Sequence, residues 1–72
     1  MAKDLKHSLT LQGHRTSLSL EPEFWAMLQK AAAKRNLTIA SLVSEIDRSR
    51  AGRNLSSAIR VWILNMLVTG LL

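Results

Sequence analysis

The sequence has no cysteine, one proline, three aromatic residues and only five acidic residues, and these shortages narrow what the chain can do. Without cysteine, neither a disulfide nor a thiolate metal site can form. Two histidines and five carboxylates leave little material for a metal cage, so we expect no metal and no cofactor. Glu45 and Asp47 face different directions on a helix, no Ser/His/Asp spacing suggests a nucleophile, and there is no glycine-rich phosphate loop. We therefore predict a protein without catalytic residues that is not an enzyme.

The chain is short, basic and apolar. Its 72 residues carry a formal net charge of +5, and 47% of them are hydrophobic. This length allows one domain at most. So short a chain buries only about 60% of the surface that its unfolded form exposes. It usually needs a disulfide, a metal or a partner chain to be stable. The composition predicts a small folded unit that associates with a copy of itself and binds something negative.

No apolar run is long enough for a membrane span. The N-terminal residues are charged with no apolar run behind them, which is unlike a secretory signal and favours the cytoplasm. Residues 58–72 are mostly apolar, but Arg60 and Asn65 interrupt them. Because a spanning helix needs about 20 apolar residues, this run predicts a buried helix and no membrane association. The last twelve residues carry no charge, so the basic surface and the apolar tail are separate regions.

Residues 14–20 alternate with a period of two, which predicts a half-buried strand. One face carries Thr16, Leu18 and Leu20, and the other carries Arg15, Ser17 and Ser19. Upstream of Gly13, Leu9 and Leu11 alternate with the opposite parity. A bulge at Gly13 would restore a common apolar face and bring Ser8, Thr10 and Gln12 onto the polar face. The other interpretation is that residues 1–12 form a loose arm, and the sequence does not decide between the two.

Three helices are predicted after the strand. Pro22 suits the first turn of a helix that should run to about Arg35. Thr38 is a natural N-cap for a second helix, which carries Ile39, Leu42, Val43 and Ile46 at amphipathic spacing and ends by Gly52. Asn54 or Ser56 caps a third helix, which is apolar nearly all round and is therefore expected to be buried on most sides.

The lone strand needs a partner for its backbone groups. The plainest solution is the same strand from a second copy, forming an antiparallel two-stranded ribbon across a two-fold axis. Such a ribbon fits the DNA major groove, and Arg15, Ser17 and Ser19 would face the bases twice over. The free N–H groups at the start of the second helix, near Thr38 and Ile39, would suit a phosphate.

Several short motifs resemble those of the ribbon-helix-helix family of the MetJ/Arc type. They are the alternating strand at residues 15–20, the helix start at 21–25 and the turn Asn-Leu-Thr at 36–38, in which asparagine replaces the commoner glycine. The match covers residues 13–50. More narrowly, residues 13–17, 24–25, 45–47 and 54–57 resemble a bacterial subgroup with an added third helix.

The resemblance implies a homodimer, or a higher oligomer, that binds double-stranded DNA as a transcriptional regulator or as the antitoxin of a toxin–antitoxin pair. The family's three groove-reading strand residues correspond to Arg15, Ser17 and Ser19. Its phosphate-contacting helix start corresponds to Thr38 and Ile39, and we add His14 as a further phosphate contact.

We expect three regions in the chain: an arm or strand extension at 1–12, a ribbon-helix-helix core at 13–52 and an apolar C-terminal helix at 53–72. The alternative function is a protein-interaction module that binds a partner protein through its third helix.

Overall fold

A computed structural model describes residues 6–72, which form a two-stranded antiparallel sheet followed by three helices. Residues 1–5, the beginning of the predicted arm or strand extension, lie outside the described residues. The elements are β1 (Lys6–Leu11), β2 (His14–Ser19), α1 (Pro22–Lys34), α2 (Ile39–Arg48) and α3 (Leu55–Val68). The predicted strand and helices are all present. The expectation of a single strand is wrong, because β1 precedes β2 in the same chain and pairs with it.

A two-residue turn at Gln12 and Gly13 joins the strands. Both residues have positive φ, 53° and 84°, as a type I′ hairpin turn requires. Leu11 pairs with His14 and Leu9 with Thr16, which puts the apolar residues of both strands on one face despite their opposite parity. Gly13 therefore completes a turn and not a bulge, and Gln12 lies in that turn and not on the polar face.

Side-chain caps begin the second and third helices. The N–H of Ser41 donates to Thr38 Oγ1 over 3.0 Å, and the N–H of Ser57 donates to Asn54 Oδ1 over 2.8 Å. Asn54, and not Ser56, is thus the cap of α3. Asn36, with φ of 56°, takes the left-handed conformation that follows the end of α1.

The core lies where the inner face of the sheet and the three helices meet. Its buried members are Leu18, Leu20, Leu28, Ala31, Ala32, Leu42, Val43, Ile46, Ala58, Ile59 and Ile63. α3 contributes three of them, but Leu64, Leu67 and Val68 on its other side are exposed. The expectation that α3 is buried on most sides is therefore wrong for a single chain. No helix in the described part of the chain is long and apolar enough to cross a membrane.

Two doubly hydrogen-bonded ion pairs connect the helices. Arg60 on α3 donates to both carboxylate oxygens of Glu21, the residue before α1, over 3.0 and 3.2 Å. Arg35, at the end of α1, donates to both oxygens of Glu45 on α2 over 2.8 and 3.2 Å. The hydrogen bonds from these arginines lower the pKa of both glutamates from the ordinary value of 4.5.

Candidate functional site

One face of the hairpin is polar along both strands, and we call it the outer face. Its side chains, all exposed, are Lys6, Ser8 and Thr10 from β1 and Arg15, Ser17 and Ser19 from β2. Paired residues share a face of the sheet, and the register sets Thr10 opposite Arg15, Ser8 opposite Ser17, and Lys6 opposite Ser19. The three predicted base-contacting residues therefore lie together on one strand. Among residues 6–72, the outer face has two cations and no acid.

The opposite face of the hairpin holds the sheet against the helices. Leu18 is buried there, and Leu9 and Leu11 pack against the core. The ring of His7 stacks on that of Trp25 in α1, with ring centroids 3.6 Å apart and an angle of 3° between the planes. Because the inner face carries these contacts, the outer face points away from the helices and is open to a partner.

The free edge of β2 carries unpaired backbone groups. In a two-residue hairpin the closing pair, Leu11 and His14, exchanges both backbone hydrogen bonds, and the bonded pairs then alternate along the strands. The N–H and C=O groups of Arg15, Ser17 and Ser19 consequently point away from β1. No other described strand lies along this edge. An unpaired edge of this kind is a template for a further strand.

The predicted phosphate contact His14 lies at the tip of the hairpin, exposed but on the inner side, opposite to Arg15. Both residues line a groove of about 340 Å³, together with Arg50 and Asp47. The Nε atom of Arg50 lies 2.8 Å from Asp47 Oδ1, so this arginine is held beside the hairpin. No local pattern distinguishes Arg50 from the neighbouring surface arginines, because its position depends on how α2 packs.

The other predicted phosphate contacts lie at the start of α2. Thr38 is exposed, and the N–H groups of Ile39 and Ala40 have no acceptor within the helix. The first turn of α2 contains no acidic residue, which leaves the positive end of the helix dipole uncompensated. Asp47, which lines the groove beside Arg15, is nine residues after Thr38, or about 13 Å along the axis of α2. Neither Thr38 nor Ile39 lines that groove.

Two outer-face residues, Ser8 and Thr10, belong to the candidate site. The sequence predicts this position for them only in the interpretation that has a bulge at Gly13. The signal that finds them is a pair of alternating runs separated by two residues ending in glycine, which is typical of a tight hairpin. Among residues 6–72, no cluster of histidine, aspartate and glutamate could hold a metal ion.

Comparison with protein families gives one match. The model of the ribbon-helix-helix domain matches residues 5–67, which includes the hairpin and nearly all of the three helices. Neither the comparison with curated proteins nor that with solved structures gives a match.

Proposed function

The chain belongs to the ribbon-helix-helix domain family, and from this membership we propose that it is a sequence-specific DNA-binding protein that regulates transcription. Members of the family are commonly DNA-binding transcription regulators or antitoxins, and their domains are typically non-enzymatic. The observation that carries the proposal is the outer face of the hairpin, with its cations and hydroxyls exposed and no acid among them.

Two copies associate through the free edge of β2. A two-fold axis at Ser17 pairs Ser17 with Ser17 of the other chain, and it pairs Arg15 with Ser19 of the other chain. All three residues with outward backbone groups then exchange hydrogen bonds, and the two Arg15 side chains do not lie opposite each other, where like charges would be destabilising. The result is a four-stranded sheet with both β2 strands at its centre.

The central strands enter the major groove with their outer face toward the bases. Arg15 is the strongest candidate for base recognition, because a guanidinium can donate to both O6 and N7 of guanine. Ser17 and Ser19 can donate to or accept from several bases and discriminate less. The start of α2, at Thr38 and Ile39, contacts phosphates and fixes the register. His14 faces the inner side of the sheet, so its exposed ring contacts a phosphate only past the tip of the hairpin. The site of action is the compartment that holds the DNA, which in a bacterial cell is the cytoplasm.

The test is selection of bound duplexes from a random pool, followed by affinity measurements on the selected site and on an unrelated duplex. The wild-type protein should prefer the selected site. Arg15→Ala should lose most of that preference, because a bidentate arginine contributes about 1–3 kcal/mol of discrimination, or about 5- to 150-fold. Arg48→Ala, a change of the same kind on α2, should keep the preference. Failure to enrich any sequence would refute the proposal.

A second candidate function is the binding of a partner protein, such as a toxin, through α3. It is supported by the exposed apolar side chains at the C-terminal end, where Leu64 is 57% exposed and Val68 76% exposed. Together with Phe24 and Val61, Leu64 lines a shallow groove of about 350 Å³. Exposed apolar patches of sufficient size mark interaction sites.

This second function is tested by co-expressing the protein with the product of a neighbouring reading frame. Removing residues after Gly52 would also remove Ile59 and Ile63 from the core, so truncation is a poor test. Leu64→Gln with Val68→Gln changes only exposed positions. The double variant should lose the co-purifying partner and keep DNA binding, whereas retention of the partner would exclude this face as its site.

A further inference from the structure

The outer edge of β1 is the second unpaired edge of the hairpin. By the alternation fixed at the turn, the backbone N–H and C=O groups of Ser8 and Thr10 point away from β2. No described strand lies beyond β1, and the side chains of both residues are exposed. The edge therefore presents backbone donors and two hydroxyl groups side by side. Lys6, two residues before Ser8 in β1, adds an ammonium group on the same face.

The width of the paired sheet decides where this edge lies on DNA. Neighbouring strands are about 4.8 Å apart, so the two β1 strands of a four-stranded sheet are separated by about 14 Å. The major groove is about 12 Å wide. With both β2 strands at the centre of the groove, each β1 strand lies at a groove wall, where the phosphates run.

We propose that the outer edge of β1 is a phosphate-binding strand, which holds the DNA backbone through the N–H groups of Ser8 and Thr10, their hydroxyls and the Lys6 ammonium. This inference rests on the DNA binding in the proposed function, not on its sequence specificity, and adds contacts to those of β2 and α2. All of these groups can donate hydrogen bonds, as a phosphate oxygen requires. Contacts of this kind carry no sequence information, so β1 contributes affinity and β2 contributes specificity.

Single substitutions separate the backbone donor from the charge. Ser8→Pro removes an outward N–H without removing a bond of the hairpin, and proline is tolerated at a strand edge that faces outward. Lys6→Gln removes the charge. The matched control is Lys30→Gln, which removes an exposed charge from α1, away from the hairpin. Circular dichroism checks that each variant is folded.

Affinity for the selected site and for an unrelated duplex is measured at several salt concentrations. Ser8→Pro should weaken binding to both duplexes by the same factor, several-fold, and leave their ratio unchanged. Lys6→Gln should reduce the slope of log affinity against log salt by about 0.9 for each chain bound, whereas Lys30→Gln should leave it unchanged.

The other outcomes separate this inference from the proposed function. If wild-type binding is specific and both β1 variants match it, the inference is wrong and the proposed function stands. If Ser8→Pro changes the preferred sequence, β1 lies among the bases and the inference is again wrong. If the wild-type protein prefers no sequence but the β1 variants bind an unrelated duplex more weakly, the inference stands without the proposed function. If it binds no duplex, both are wrong.

Discussion

Glu21 shows how one residue connects the start of α1 to α3. It is the N-cap of α1 yet makes no capping hydrogen bond with its side chain. Instead, both of its carboxylate oxygens accept hydrogen bonds from Arg60, whose guanidinium also lies 5.8 Å from the centre of the Phe24 ring. This pair adds a polar contact between α3 and the start of α1 to the burial of the apolar side of α3.

The ion pair makes stability depend on pH in a defined direction. The hydrogen bond from Arg60 lowers the pKa of Glu21 in the folded state below the ordinary value of 4.5. A lowered pKa means that the contribution is fully present above about pH 4.5 and is lost as the pH falls through the folded-state value. Because both side chains are substantially exposed, the effect is small.

A double-mutant cycle with Glu21→Gln and Arg60→Gln, followed by urea unfolding, measures this contribution free of the single-residue effects. The coupling should be favourable at pH 7 and smaller at pH 3, because Glu21 becomes protonated as the pH falls below the ordinary pKa of 4.5 and through its lowered folded-state pKa. A coupling of equal size at both pH values would show that the charge on Glu21 is not its source.

Helices and strands can be predicted from this sequence where one local rule is sufficient. The alternation at residues 14–20, the proline at the start of α1 and the cap at Thr38 each predict an observed feature. The hairpin is harder to predict from the sequence, because Gln12 is not among the residues that usually take positive φ. Only pairing with β2 shows that Gln12 and Gly13 form the turn.

The candidate site likewise has features that a local pattern predicts and features that depend on packing. The outer-face positions of Arg15, Ser17 and Ser19 follow from alternation within one strand. The approach of Arg50 to the hairpin follows from how α2 packs against β1, which no local pattern contains. The exposed side of α3 was misjudged for a related reason, since uniform apolarity does not say which side finds a partner within the chain.

The connection between α2 and α3 contains a strained residue. Ala51 has φ of 54°, a left-handed conformation that costs an L-residue roughly 1–2 kcal/mol. Ala51→Gly removes this cost but increases the entropy of the unfolded chain, so we expect the free energy of unfolding to rise by up to about 1 kcal/mol. Urea unfolding measures the change.

The matched control for this prediction is Ala26→Gly in α1. Ala26 is exposed and helical, so glycine there should lower the free energy of unfolding by about 1 kcal/mol. The opposite signs of the two alanine-to-glycine changes are the diagnostic result. A loss of stability at both positions would contradict the conclusion that the loop at Ala51 is strained.

In the proposed dimer, the shortness of the chain and its charge are linked. A second copy would double the formal net charge from +5 to +10 and bring both copies of Arg15 onto one sheet. The attraction to DNA would then be collective, with log affinity falling by about 0.9 per phosphate neutralised for each tenfold rise in salt. The same charge would oppose association of the free chains, so the proposed dimer requires an attraction at the edge of β2 that outweighs this repulsion.

Ser17→Pro tests this edge directly, with Ser8→Pro as its matched control. Both substitutions remove an outward N–H from a hairpin strand, but only Ser17 lies on the edge that is proposed to pair with a second copy. Ser17→Pro should halve the mass measured by sedimentation at micromolar concentration, while Ser8→Pro should keep the wild-type mass. Unfolding temperature should rise with protein concentration for the wild type and for Ser8→Pro, because association stabilises the folded chain, and not for Ser17→Pro. If all three proteins have the same mass and the same concentration dependence, the copies do not meet through the edge of β2.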